Sequence, residues 1–276
     1  MDINFFEKTR VLDGGMGQEL LARGMKPNGT LWSANALLQK KYHKLLLDTH
    51  IDFIKAGAEV IVTATFTTRK TRLKDNNVEN KFEYLNKKAG EIAQQAKKIY
   101  PNVLVAGGLP PQHLTYEADK RSDEKIKDDF ASQAELLNPY IDFFYLDVLS
   151  SVKEFKIAIE SIKKFKKPYL IGAHISEGKN LPSGEKISEI IKNIKHEKLL
   201  GIILSCISPE NYDLNLEEIK NLNIPFGFKL NGFIKTNPKP NYTGAYKKSK
   251  TGNPNEFLGQ RKDLTPDKMA EFAKKF

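Results

Sequence analysis

The chain has 276 residues, of which 40% are hydrophobic, and this composition excludes a disordered protein. Its 44 basic and 34 acidic residues give a formal charge of +10, but the basic residues are nearly all lysines spread over every predicted helix. That pattern is typical of a solvated surface, because base and phosphate recognition favours arginine. We therefore expect no nucleic-acid partner.

The cysteine content and the amino-terminal sequence predict the cellular compartment of the protein. A single cysteine excludes an intrachain disulfide and favours a reducing compartment. The first eight residues carry acids where a secretory signal needs basic and apolar residues, and no apolar run approaches the roughly 20 residues needed to span a bilayer. We therefore expect a cytoplasmic protein with no membrane partner.

Strand and helix patterns alternate along the chain. Seven apolar segments predict strands, namely 11–17, 60–66, 103–109, 143–149, 168–175, 199–207 and 225–231. Helical spacing predicts helices over 33–57, 82–99, 123–137, 151–165, 187–194, 216–222 and 265–276. Ser151 and Glu154 predict a capping box at the start of the fourth helix. The alternation predicts an α/β fold, a (β/α)₈ TIM-type barrel in one domain over residues 1–276.

Seven strand-helix units are one fewer than a closed barrel needs. We therefore expect the chain to be incomplete at its carboxyl end, with open apolar edges on the first and seventh strands. Such edges predict a homo-oligomer or a marginally stable monomer. Residues 236–262 form a Pro/Asn/Gly/Lys-rich segment that is too long for a passive connection, and we predict a long loop or a lid there.

Candidate functional residues stand where predicted strands end. Asp13 with Gly14 and Gly15 follows the first strand, Asp147 lies near the end of the fourth, and Cys206 near the end of the sixth. In parallel α/β proteins that edge carries the chemistry. A lone cysteine is more often a small buried hydrophobe than a ligand or nucleophile, so position alone leaves its role open.

Four segments together make the sequence resemble the homocysteine S-methyltransferase family, which includes betaine-homocysteine methyltransferases. The first is Leu12-Asp13-Gly14-Gly15-Met16-Gly17 with Glu19-Leu20-Leu21, and the second is Leu31-Trp32-Ser33-Ala34. The third runs from His50 through Ala56-Gly57-Ala58-Glu59 to Thr65-Phe66, and the fourth is Ser205-Cys206 with Ser208-Pro209-Glu210. The match in order and spacing extends from about residue 10 to residue 235.

The resemblance implies a function and a set of site residues. Family members hold Zn²⁺ with three cysteines at the carboxyl face of the barrel, and the metal makes homocysteine a thiolate that attacks the methyl group of a sulfonium or quaternary ammonium donor. Methionine is the product, and the donor is S-methylmethionine, S-adenosylmethionine or a betaine. The implied metal ligand is Cys206, and the implied substrate-binding residues are Asp13, Gly14, Gly15, Asp147, Trp32 and Phe66.

The sequence also departs from the family pattern. The Gly-Gly-Cys-Cys segment that supplies two zinc cysteines is absent, Asp147 stands where glutamate is usual, and Ser205 replaces an asparagine. His174, near the end of the fifth strand, is a candidate second metal ligand to which the resemblance gives no role. Two alternatives follow: a methyltransferase-like binding protein without catalysis, or another thiol or carbonyl enzyme that uses Cys206 as its nucleophile.

Overall fold

The computed structural model describes residues 2–194, 197–234 and 258–276. Six parallel strands form one sheet in sequence order. Their bounds are β1 (Val60–Val62), β2 (Leu104–Leu109), β3 (Phe143–Leu149), β4 (Tyr169–Ala173), β5 (Leu199–Ile207) and β6 (Phe226–Leu230). The strands are rich in branched and aromatic side chains, which suit a sheet that is covered on both faces.

The predicted first strand is much shorter than its sequence pattern. Leu12 makes a single parallel bridge to Val60, and Met16 already begins a helix. Three glycines within five residues weaken a strand, because glycine is flexible and has no side chain to pack. This explains why the pairing stops so soon. The segment nevertheless lies beside β1, so Asp13 is placed next to the carboxyl end of that strand.

Ten α-helices lie among the described residues. They are α1 (Met16–Ala22), α2 (Ala34–Leu38), α3 (His43–Lys55), α4 (Lys70–Asp75), α5 (Phe82–Ile99), α6 (Asp123–Leu137), α7 (Val152–Ile162), α8 (Ile187–Asn193), α9 (Pro209–Lys220) and α10 (Pro266–Ala273). Side chains cap four of them. Of the predicted capping box, the structure shows the N-cap: the Ser151 hydroxyl accepts a hydrogen bond from the Glu154 amide at 3.1 Å and donates one to Glu154 Oε2 at 2.7 Å.

The prediction of one helix over 33–57 is wrong. The chain leaves helical geometry at Gln39, whose φ and ψ are −104° and 109°, and a short 3₁₀ turn separates α2 from α3. The apolar stripe continues across this break, because α2 and α3 both pack on the same buried cluster. Helical spacing of apolar residues alone therefore could not reveal the interruption.

The sheet curls so that its inner face forms a core of its own. Phe143 and Tyr145 of β3 point into this inner core with Ile203 of β5, while Phe144 and Leu146 point outward to the helices. Alternation therefore continues to place Asp147 on the inner face. The curl brings the side chains of β3 and β6 together across two intervening strands, as the Lys229 Nζ to Asp147 Oδ2 distance of 2.8 Å records.

The carboxyl-terminal described segment closes over β6. Phe272 and Phe276 pack against Tyr212 and Phe228, and the Arg261 guanidinium makes two hydrogen bonds to the Glu210 carboxylate. Of the predicted loop or lid at 236–262, residues 236–257 lie outside the described residues, whereas Gln260 bridges to Phe233. Among the described helices, none combines the length and the apolar character that crossing a bilayer requires.

Candidate functional site

A cavity of about 370 Å³ opens at the carboxyl ends of the strands. The seven site residues that the resemblance implied all line it, namely Asp13, Gly14, Gly15, Trp32, Phe66, Asp147 and Cys206. They come from the segments after the first bridge and after β1, and from β3 and β5. The structure therefore brings the predicted residues together, and it adds Tyr116, Lys229 and Asn231 to the same wall.

An ion pair crosses the cavity. The Lys229 ammonium donates to Asp147 Oδ2 at 2.8 Å, while Asp147 Oδ1 has no hydrogen-bond partner in the part of the chain that the structure describes. Burial lowers the pKa of Lys229, but Asp147, with smaller contributions from Asp13 and Cys206, holds that pKa above its usual value. Lys229 is therefore charged at neutral pH, and its carboxylate partner keeps a free acceptor.

Asp13 is held beside the pair in a buried position. Its Oδ2 accepts a hydrogen bond from the Val62 amide at 2.9 Å and lies 3.9 Å from Nδ1 of the fully buried His50. Burial raises the pKa of Asp13 to about 7, against the lowering effect of the Val62 amide. Burial also lowers the pKa of His50 to about 4, so this histidine is neutral. A cationic ligand group near Asp13 would favour its ionised form.

Cys206 lies beside polar side chains. Its Sγ lies 2.7 Å from the Tyr116 hydroxyl and 3.7 Å from Asn231 Nδ2. Burial raises the pKa of the Cys206 thiol, whereas Tyr116 and the charge of Lys229 act in the opposite direction. The sulfur thus lies beside a hydroxyl and an amide group, within the influence of the Lys229 charge, and none of these groups is a usual zinc ligand.

The described residues do not by themselves fit a zinc ion. Structural and catalytic zinc sites take three or four Cys, His or carboxylate ligands, and no group of three such side chains with suitable placement occurs among the described residues. His174 is not available to Cys206 as a second ligand, because Nδ1 lies 3.1 Å from the Ser205 carbonyl and Nε2 lies 2.8 Å from Ser176 Oγ. Cys206 is the single thiol of this chain.

Backbone strain is concentrated around the cavity. Four lining residues other than glycine have positive φ: Trp32 (46°), Tyr116 (68°), Val148 (65°) and Cys206 (59°). The last two coincide with shifts of strand register in β3 and β5. Ser205 points inward to Tyr145, so regular alternation would turn Cys206 outward, and the bulge instead re-aims it into the cavity. Positive φ is unfavourable for a β-branched residue such as Val148, and such strain clusters at functional sites.

Aromatic side chains form the opposite wall. Trp32 and Phe66 meet edge to face with ring centroids 6.2 Å apart, and the Trp32 indole packs so closely on α1 that a Cβ at Gly17 would collide with it. Gly15, by contrast, has open space where its Cβ would be. Aromatic faces attract sulfonium and ammonium cations, so this wall suits a ligand with a cationic group.

Comparison with known proteins decides the family. The family model for homocysteine S-methyltransferase matches residues 10–276. The chain belongs to the homocysteine S-methyltransferase family. A 236-residue match to homocysteine S-methyltransferase of Escherichia coli is 22% identical and covers 78% of this chain and 74% of that protein. Homocysteine S-methyltransferase 2 of maize is 34% identical over 104 residues, which are 37% of this chain and 30% of the maize protein.

Solved structures agree on the fold. The metallated form of the Escherichia coli homocysteine methyltransferase superposes with a TM-score of 0.74 at 21% identity, covering 87% of this chain and 88% of that one. The family and the barrel-type α/β fold predicted from the sequence are therefore confirmed. The family is one of methyltransferases, and the comparisons do not favour the alternative of a binding protein without catalysis.

Sequence reasoning missed Lys229, Tyr116 and Asn231, and it assigned His50 no role in the site. Lys229 carried a usable signal, because a lysine inside an otherwise apolar predicted strand is costly unless it is paired. Tyr116 lies in a long connection between β2 and α6, where nothing local indicates that it reaches Cys206 on β5.

Proposed function

We propose that this protein transfers a methyl group from a sulfonium or quaternary ammonium donor to the sulfur of homocysteine, forming methionine. What supports this most is the convergence, in one cavity of a family member, of two buried carboxylates, a cysteine and an aromatic wall. Asp13 and Asp147 would bind the amino group of homocysteine, the Gly14 and Gly15 backbone would approach it, and Trp32 and Phe66 would face the donor.

The chemistry needs no acid or base from the protein in the bond-forming step. The homocysteine thiolate forms a bond to the methyl carbon while the bond from that carbon to the donor sulfur or nitrogen breaks. The donor keeps the electron pair and leaves as a neutral sulfide or amine, and the thiol proton has already passed to solvent. The residues of this chain would bind and align the two substrates, which removes much of the entropic barrier.

Zinc is implied by the resemblance, and Cys206 is the residue of this chain that we propose as its ligand. The described residues do not supply the remaining ligands, so no step here depends on the metal. The donor is S-methylmethionine, S-adenosylmethionine or a betaine, and the relatives' names do not decide among them.

An activity assay tests the proposal. Purified protein is incubated with L-homocysteine and each of the three donors in turn, and methionine is quantified by chromatography. We expect methionine with at least one donor, and we expect Asp147→Asn to reduce its formation, while Lys220→Met on the outer helix α9 leaves it unchanged. No methionine with any donor, from protein that is folded, would favour the inactive alternative.

A further inference from the structure

Lys229 is a charged residue of the cavity to which the family resemblance assigns no role. We propose that Lys229 is a specificity-determining residue that binds the carboxylate of a zwitterionic substrate, and that with Asp147 it selects ligands carrying a carboxylate beside a cationic group. This inference rests on the proposed function and extends it to the substrate class.

The placement of Lys229 is the first observation. Its neighbour in β6, Phe228, packs on Tyr212 outside the sheet, so alternation directs Lys229 to the inner face. The ammonium there reaches Asp147 on β3, two strands beyond its own neighbour β5. A lysine at this position loses hydration, and a fold that needed only packing would be better served by an apolar side chain.

Unused hydrogen-bonding capacity is the second observation. A lysine ammonium has three donors, and the hydrogen bond found for it goes to Asp147 Oδ2 at 2.8 Å. The Lys229 side chain is 37% exposed, and it lines the cavity. Asp147 is 96% buried, and its Oδ1 has no hydrogen-bond partner among the described residues. The pair thus combines a partly exposed cationic donor with a buried anionic acceptor that has one oxygen unpartnered.

A purely structural ion pair of this protein looks different. The Arg121 guanidinium makes three hydrogen bonds to the two oxygens of Asp119, at 2.7 to 3.1 Å, and a fourth bond from Arg121 reaches Asp129. Neither Asp119 oxygen is left unpartnered in the described part of the chain. The contrast indicates that the Lys229–Asp147 pair is built to accept a further charged group.

Charge balance identifies that group. Lys229 and Asp147 neutralise each other, so a ligand that carries one positive and one negative group adds no net charge to the cavity. A cation without a carboxylate would instead be repelled by the Lys229 ammonium and would bring no anion for that ammonium to bind. Both the acceptor amino acid and a betaine-type donor combine a cationic group with a carboxylate, and either can supply the group that Lys229 binds.

Calorimetry with matched probes tests the proposal. L-Methionine is compared with 3-(methylthio)propylamine, which is the same molecule without its carboxylate, and glycine betaine is compared with tetramethylammonium. We expect wild-type protein to prefer the carboxylate in at least one pair by about 10-fold to 100-fold, the range for a charge-assisted hydrogen bond. Lys229→Met should reduce that preference to about one, Lys229→Arg should retain part of it, and Lys220→Met should retain all of it.

The probe pair whose preference for the carboxylate disappears in Lys229→Met identifies the substrate whose carboxylate Lys229 binds. Loss for methionine alone indicates the acceptor carboxylate, and loss for betaine alone indicates the donor carboxylate. Should Lys229→Met fail to fold by circular dichroism, Lys229→Gln keeps a donor to Asp147 without the charge and is expected to lose the same preference. An unchanged preference in the folded variant overturns the proposal, as does wild-type protein without preference in either pair. Binding requires no turnover, so this result is independent of the methionine assay.

Discussion

Two polar clusters of this protein differ in how completely they are hydrogen-bonded. The amide network, formed by Thr65, Thr68, Asn86 and Gln133, lies between the loop after β1 and helices α5 and α6. Gln133 Nε2 donates to Asn86 Oδ1 at 3.0 Å and Thr68 Oγ1 donates to the same oxygen at 2.7 Å. No side-chain polar atom of these four residues lacks a partner in the described structure.

The cavity cluster, formed by Asp13, His50, Asp147 and Lys229, is the opposite case. Both ring nitrogens of His50 and one oxygen of Asp147 lack hydrogen-bond partners among the described residues. Leaving a buried polar atom unpartnered costs about 1–3 kcal/mol. The difference teaches that the amide network has its partners within the fold, whereas the cavity cluster leaves part of its hydrogen-bonding capacity unused there. Four substitutions or treatments test this contrast.

The largest effect is expected in the amide network. Asn86→Leu removes the acceptor shared by Thr68 and Gln133 and the donor to the Phe82 carbonyl. These buried polar groups then lose a hydrogen-bond partner. We expect the free energy of unfolding to fall by about 3 kcal/mol in urea titrations. The affinity of the folded variant for methionine should not change. A large loss of affinity at unchanged stability would contradict the contrast.

The second-largest effect is expected on the affinity for methionine. Asp147→Asn keeps an acceptor for Lys229 but removes the negative charge that would pair with a ligand ammonium, so we expect methionine affinity to fall about 30-fold, or about 2 kcal/mol. Isothermal calorimetry measures the affinity, and urea unfolding should show a smaller loss of stability than in Asn86→Leu. If stability falls further than in Asn86→Leu while affinity is retained, Asp147 is structural.

A pH-dependent effect is expected at Asp13. Its pKa is about 7 in the fold and near 3.8 when unfolded, so the native state holds the extra proton between these values. Wild-type stability should therefore fall as pH rises from 4 through 7. Asp13→Asn removes this dependence, and we expect the variant to be more stable than wild type by about 1.5 kcal/mol at pH 8, and to show no such gain at pH 4. Thermal unfolding at the two pH values measures it, and an equal gain at both would refute the assignment.

Binding to Asp13 should show the reverse dependence on pH. Because an ammonium ligand favours the ionised carboxylate, methionine affinity of wild-type protein is expected to rise as pH increases through about 7. Asp13→Asn should bind weakly at every pH in this range, and its affinity curve should be flat. A rise of the same size in the variant would show that another group carries the titration.

The smallest effect is expected from metal removal. The described residues of the 276-residue chain offer one thiol and no three-ligand group, so dialysis against a chelator should shift its Tm by less than about 1 °C. Elemental analysis measures the zinc content per chain, and a value well under one would count against Cys206 as a zinc ligand. A value near one would mean that residues outside the described ranges, or a partner chain, complete the ligand set around Cys206.

The sequence by itself determined the features that depend on local pattern. Apolar runs that lead to Asp147 and Cys206 predicted two strands. They also predicted the edge of the sheet at which these residues lie, since the carboxyl ends of parallel strands meet at one face. Ser151 and Glu154 likewise fixed a helix start, because both partners of the capping box are three residues apart. The family resemblance rested on motifs of the same local kind.

Only the tertiary structure decided how those residues face one another. The bulges at Val148 and Cys206 depend on pairing with neighbouring strands, so no local pattern reveals the positive φ that turns Cys206 into the cavity. The Lys229–Asp147 pair joins residues 82 positions apart across two intervening strands, and the raised pKa of Asp13 results from burial by the whole fold. Contact and desolvation are properties of the packed chain, and for that reason the sequence located the site but not its charge balance.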